Sequence, residues 1–128
     1  MRGAAPDRGA AAAEFAMLAA LVSVLMLAVV QLAFGLHLHN TATAHVVEGA
    51  RVGARADSTP ADGARRAQEL MASSLPGGAQ GVEVTASRVV VGGVAVVEVS
   101  ARLRLPIVGP LGPGQQMSVV GQAYAEDQ

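Results

Sequence analysis

Residues 15–36 form one apolar run, FAMLAALVSVLMLAVVQLAFGL, broken only by Ser23, Gln31 and Gly35 and carrying no charge. Wound as an α-helix at about 1.5 Å per residue, it is about 33 Å long. That is enough to cross the roughly 30 Å hydrocarbon core of a bilayer once. No second run of this kind follows, so the pattern predicts a single-pass topology. From His37 to Ala56 polar residues enter the sequence, yet helix formers remain plentiful and proline is absent. The spacing predicts one long helix over 10–56, greasy over 15–36 and amphipathic over 37–56. Val46, Val47, Ala50 and Ala54 are expected to face a small domain, with Glu48, Arg51 and Arg55 on the solvated side. Gly49 and Gly53 each lower helix propensity by about 1 kcal/mol relative to Ala, and as a Gly-xxx-Gly pair they permit close packing.

The remainder, 57–128, changes period twice. Asp57-Ser58-Thr59-Pro60 ends the first helix, with Thr59 suited to an N-cap, Pro60 to the first helical position and Asp62 to the first turn. A second helix is predicted over 60–74, its apolar face made by Ala64, Ala67, Leu70, Met71 and Leu75, and Leu75-Pro76-Gly77-Gly78 stops it. Then alternation takes over. Val82, Val84 and Ala86 alternate with Glu83, Thr85 and Ser87, and Gly92-Gly93 fits a two-residue hairpin turn. Val97, Val99, Ala101, Leu103 and Leu105 alternate with Glu98, Ser100, Arg102 and Arg104 on the return strand. Pro106, Gly109, Pro110, Gly112, Pro113 and Gly114 read as a loop, and Met117 to Tyr124 as a third strand. The fold class predicted is α+β: a long N-terminal membrane-spanning helix, a short second helix and a small three-stranded antiparallel sheet. An outer part of this size with so few aromatics has a marginal core by itself, so the sheet is expected to pack on the long helix or on neighbouring subunits.

Composition narrows the functional classes. The chain of 128 residues is 52% hydrophobic but 2% aromatic, and only 15% charged against roughly 25% in ordinary globular chains. Nine basic residues face ten acidic ones for a net charge of −1, which gives little field for phosphates and few rings for stacking bases. Nucleic acid is therefore not an expected partner. Cysteine is absent, which removes disulfides, thiolate metal sites and cysteine nucleophiles. His37, His39 and His45 do not have the i,i+4 spacing of a helical metal pair, and exposed, interfacial histidines are expected instead. No metal or other cofactor is expected. No nucleophile elbow or phosphate-binding loop is present. Glu83 and Glu98, on opposite strands, are the one carboxylate pair that could approach each other, but exposed strand faces carry such residues routinely. Neither an enzyme nor a small-molecule substrate is expected.

Charge orients the span. Arg2 and Arg8 precede it, and no Arg or Lys follows until Arg51, so the positive-inside rule puts the N-terminus in the cytoplasm and the part beyond about 37 outside. Three readings compete for the segment itself. A secretory signal peptide has a shorter apolar region, although Ala33-Phe34-Gly35 would serve as a cleavage site. A plain signal anchor explains the length and flanking charge, but not Glu14. The third reading starts from that residue. A short basic leader ends in Gly9, and five positions later comes Glu14, followed by Phe15 and the apolar run.

This junction resembles the processing site of type IV prepilins, where a membrane peptidase cuts after Gly and Glu is fifth in the mature chain. RGAAAAEFAMLAAL resembles the start of the TadE-like family, minor pilins or pseudopilins of tight-adherence pilus systems. NTATAHVVEGARVGARA and SVVGQAYAED are similar to that family's later segments. The resemblance implies a leader over 1–9, cleavage between Gly9 and Ala10 by a prepilin peptidase, and a pilin-like plan in which the outer half of the long helix lies against a small sheet. It implies that Glu14 partners the new α-amino group of a neighbouring subunit and sets axial register. The partners implied are the cytoplasmic membrane, the peptidase, other pilins and the assembly machinery. Ala12, Ala16, Ala19, Ala20 and Ser23 recur at helical spacing and offer a small-residue face for association in lipid, with Leu18, Leu21, Val22, Leu25 and Val29 opposite. The alternative left open by the residues is an uncleaved anchor displaying a small binding domain, with Glu14 merely solvated at a helix N-terminus, where a carboxylate is mildly favoured.

Overall fold

The structure is a computed structural model that describes residues 6–78, 80–104 and 116–126, with side chains placed from residue 9 onward within those ranges. The chain divides into two units, Met1–Phe34 and Gly35–Gln128. The element order is α1 (Pro6–Gly53), α2 (Pro60–Ser74), β1 (Glu83–Val91), β2 (Val94–Arg104) and β3 (Gln116–Tyr124).

In the first unit the described residues, 6–34, are helix. Its apolar side chains are covered by nothing: Phe15 is 73% exposed, Leu21 65% and Leu32 65%. An uninterrupted exposed apolar surface is what a lipid environment, not water, rewards. α1 is long and apolar enough to cross a membrane. Its one hydroxyl in the described stretch of this unit is satisfied locally, Ser23 Oγ donating to the Ala19 carbonyl at 2.8 Å.

The second unit contains the rest of α1, from Gly35 to Gly53, α2 and the sheet. Here α1 buries a stripe at every fourth residue, Leu38, Ala42, Val46 and Ala50, which Ala54 continues just past the helix end. Ala67 and Met71 of α2, Leu75 just past its end, Val97, Val99, Ala101 and Leu103 of β2, and Val119 of β3 complete the core. No aromatic ring takes part, and Tyr124, the one tyrosine, is exposed. A core of Ala and Val fills only if backbones come close together, and glycines make that possible. A Cβ added at Gly121 of β3 would stand 2.5 Å from the Val47 nitrogen and 2.6 Å from the Val46 carbonyl carbon. One added at Gly53 would meet the Thr59 carbonyl oxygen at 3.1 Å and Val97 at 3.2 Å.

α2 has the predicted start. Thr59 is its N-cap in extended conformation, with φ −114° and ψ 159°. The Thr59 amide donates to Asp62 Oδ2 at 2.9 Å, and the Asp62 amide donates to Thr59 Oγ1 at 3.3 Å. This reciprocal box satisfies amides that the first helical turn leaves orphaned. The Leu75 amide closes the last turn on the Met71 carbonyl at 2.9 Å.

The sheet has the order β1-β2-β3, antiparallel throughout. Gly92 and Gly93, with φ of 60° and 84°, form the turn between Val91 and Val94, the conformation of a primed hairpin turn. Register is fixed by burial: Val97, Val99, Ala101 and Leu103 all point inward, and a slip of one residue would put Glu98, Ser100 and Arg102 into the core. After β3 the chain is tied back to α1, the Glu126 amide donating to the Ala54 carbonyl at 2.8 Å and the Ala56 amide to Glu126 Oε2 at 3.3 Å.

Several details differ from the sequence-based expectation. α1 starts at Pro6, not residue 10, because proline at the first helical position loses no hydrogen bond. It ends at Gly53, not 56, where the packing against Thr59 and Val97 takes over. On α2, Ala67, Met71 and Leu75 are buried as expected, but Ala64 and Leu70 are only half-buried, and Gly63 is buried in their place. β1 begins at Glu83 and runs on to Val91. The expected loop from Pro106 to Gly114, and Leu105 before it, lie outside the described residues.

Candidate processing and assembly site

Gly9 is the fourth residue of α1, and Ala10 to Phe15 continue the same helix. A Cβ added at Gly9 would meet nothing within 4 Å. Packing therefore does not require glycine there, and intrinsic propensity favours alanine by about 1 kcal/mol. Glu14 and Phe15 are exposed, and Glu14 forms no salt bridge among the described residues. The junction thus combines a glycine that packing does not require with a carboxylate that has no ion-pair partner among the described residues.

The helix also sorts the assembly residues. At about 100° per residue, Ala12, Ala16, Ala19, Ala20 and Ser23 fall within one sector of about 100°, all exposed. Glu14 falls on the other side, in line with Leu18, Leu21 and Leu25. The sequence puts Glu14 and the alanines in one candidate group; helical geometry places them on opposite faces.

The remaining candidates are scattered. His37 and His39 are exposed, but His45 is half-buried, contrary to the exposed position expected for it. Its Nε2 lies 2.6 Å from Ser74 Oγ, which in turn donates to the Leu70 carbonyl at 2.8 Å. Partial burial lowers the imidazole pKa below its ordinary 6.5. Sequence spacing could not show this, because Ser74 belongs to α2. Glu83 stands opposite Arg102, and Glu98 opposite Ser87 and Gln122. The two carboxylates are four positions apart along the strands, about 13 Å at the usual rise, so they do not form the pair considered from sequence. Glu98 instead accepts from Gln122 Nε2 at 2.6 Å. Among the described residues no three His, Asp or Glu side chains gather as a metal site would require. Gly63 and Gly121 escaped the sequence reading. The only available signal was a glycine inside a helical pattern and another inside a strand pattern.

These features define a class, an α+β protein whose N-terminal helix is long and apolar enough to be a membrane anchor. Residues 9–51 match the model of the family described as TadE-like protein, the same family that the junction resembles. The match covers about a third of the chain and lies wholly within α1. No curated protein matches the chain, and no solved structure does.

Proposed function

We propose that the protein is a minor pilin or pseudopilin that takes part in assembling a tight-adherence pilus, with a structural and not a catalytic role. A prepilin peptidase would remove residues 1–9 by cutting after Gly9. The helix over 15–36 would hold the chain in the cytoplasmic membrane, N-terminus inside and the outer unit outside. The observation that carries this reading is Gly9: a helix-weakening residue at an open position that packing does not explain, five residues ahead of Glu14, which forms no salt bridge among the described residues. Once cut, Ala10 would bear a free α-amino group. Glu14 of one subunit is then the natural partner for the amine of the next, since a carboxylate at the edge of the apolar phase calls for an opposite charge. Ala12, Ala16, Ala19, Ala20 and Ser23 would allow neighbouring helices to approach.

The test is the N-terminus and intact mass of the protein isolated from membranes of its own host. A start at Ala10 that reverts to the uncut chain in Gly9→Arg supports the proposal. A start at Met1 or Arg2 overturns it and leaves an uncleaved anchor that displays a small binding domain. A start near Leu36 would mean ordinary secretion.

A further inference from the structure

In the outer unit, Leu38 is buried at the end that also holds Leu75, Leu103 and Met117. Leu38 and Arg104 line one small cleft there, together with Pro76 and Gly78. Leu38 lies two residues beyond Leu36, where the apolar run ends, a rise of about 3 Å along the helix. Within the outer unit, Arg104 therefore lies at the end that Leu36 and Leu38 mark.

The electrostatics of this end are cationic. Arg102 and Arg104 are exposed and project from the same face of β2, since residues two apart in a strand share a face. Neither forms a salt bridge among the described residues, where the ion pairs all lie on α2, between Arg65 or Arg66 and Asp62 or Glu69. Both arginines border an open groove of about 430 Å³ together with Gly81, Val82, Glu83, Leu103 and Gln116. Among the described residues Glu83 is the one carboxylate lining it. It stands opposite Arg102 in register, with Arg104 two positions beyond Arg102 on the same strand.

We infer that Arg104, backed by Arg102, binds the phosphate of anionic lipid headgroups and seats the outer unit on the membrane surface. A guanidinium suits this task because its planar donors match phosphate oxygens in pairs. The inference rests on the membrane-anchor part of the proposed function and not on processing at Gly9. The seat would hold a subunit until assembly draws it away from the bilayer.

The test uses the full chain. It has no cysteine, so Gln80→Cys, an exposed position in the same cleft as Arg104, takes a single fluorescent label. The labelled protein is reconstituted into vesicles of phosphatidylcholine alone, or mixed with phosphatidylglycerol, each with nitroxide-headgroup lipid as quencher. Quenching is expected to be stronger in the anionic vesicles and to weaken with salt. Arg104→Gln should reduce the docked-to-undocked ratio by roughly fivefold, the ordinary effect of one basic residue at an anionic surface. Arg88→Gln, in register with Val97 away from this end, should not change it. Equal quenching in the two lipids, or quenching indifferent to Arg104→Gln, overturns the inference while leaving the anchor intact. Failure of the wild-type chain to resist alkaline extraction from either vesicle overturns the anchor and this inference with it.

Discussion

Gly49 of α1 and Gly63 of α2 meet backbone to backbone. A Cβ on Gly63 would stand 2.5 Å from the Gly49 carbonyl oxygen, and one on Gly49 would stand 2.6 Å from that of Gly63. Neither position has a flexible side chain that could move aside, so any added carbon must push the two helices apart. Gly63→Ala gains about 1 kcal/mol of helix propensity and loses about 1–3 kcal/mol to overpacking. The expected result is net destabilisation of the outer unit. Gly35→Ala, where nothing lies within 4 Å, should be neutral or mildly stabilising. Thermal unfolding of both variants in detergent, followed by circular dichroism, checks the contrast. A Gly63→Ala protein that melts at or above the wild-type temperature would refute it.

The N-cap of α2 makes the second prediction. Thr59→Ala removes the hydroxyl that accepts from the Asp62 amide, and it should cost about 1 kcal/mol. For a domain of this size that is a fall of roughly 4–8 °C in Tm. Asp62 itself is held below its ordinary 3.8, first by the Thr59 hydroxyl, then by the Thr59 amide and Arg65. A carboxylate with a lowered folded pKa contributes stability that is present above about pH 3.8 and is lost as pH falls through the lower folded value. The Thr59→Ala deficit should therefore shrink in strong acid. Melting curves of both proteins from neutral pH down to about pH 2–3 give the comparison.

These two contacts also show how far the sequence could be read. Thr59, Pro60 and Asp62 are adjacent, and their chemistry is local, so the start of α2 is legible from spacing alone. The hairpin at Gly92-Gly93 and the alternation of β2 are legible for the same reason. The contact of Gly49 with Gly63 joins two elements, and the sequence shows only that Gly49 could pack closely, not against what. His45 with Ser74 and Gly121 with Val46 are long-range in the same sense. At the junction, the spacing of Gly9, Glu14 and Phe15 is visible in the sequence. That Glu14 faces away from the Ala12–Ala16–Ala20 side becomes plain only when the segment is wound into a helix.

His45 supplies a pH dependence of the opposite residue type and a higher window. Burial beside Ser74 lowers its pKa below 6.5, so the folded unit binds this proton less readily than the unfolded chain. Its contribution is present above about pH 6.5 and is lost as pH falls through the lower folded value. The melting temperature of the wild type should drop between pH 7.5 and pH 5.5 by more than that of His45→Gln, which can still hydrogen-bond Ser74. The effect is modest because the ring is only partly buried. Equal drops in the two proteins would show that other groups carry the dependence.

The opposed faces of the N-terminal helix lead to the last prediction. If Glu14 pairs with the Ala10 amine of one neighbour while Ala16 and Ala20 pack against another, each subunit uses two different surfaces. Contacts of that head-to-tail kind do not close into a two-fold dimer; they build a ring where the rotation closes and a helical filament where it does not. Glu14→Gln should then leave membrane insertion and cleavage after Gly9 intact, yet reduce the amount of the protein recovered with assembled pili or its assembly partners. Ala16→Leu should do the same by keeping helices apart, without touching the charge. Because the two changes disturb different neighbours, the double variant should lose more than either single one. Crosslinking in membranes of the native host separates the outcomes: a cysteine placed near Glu14 and one placed near Ala16 should capture different partner surfaces. Capture of the same surface by both would show that the helix uses one face only.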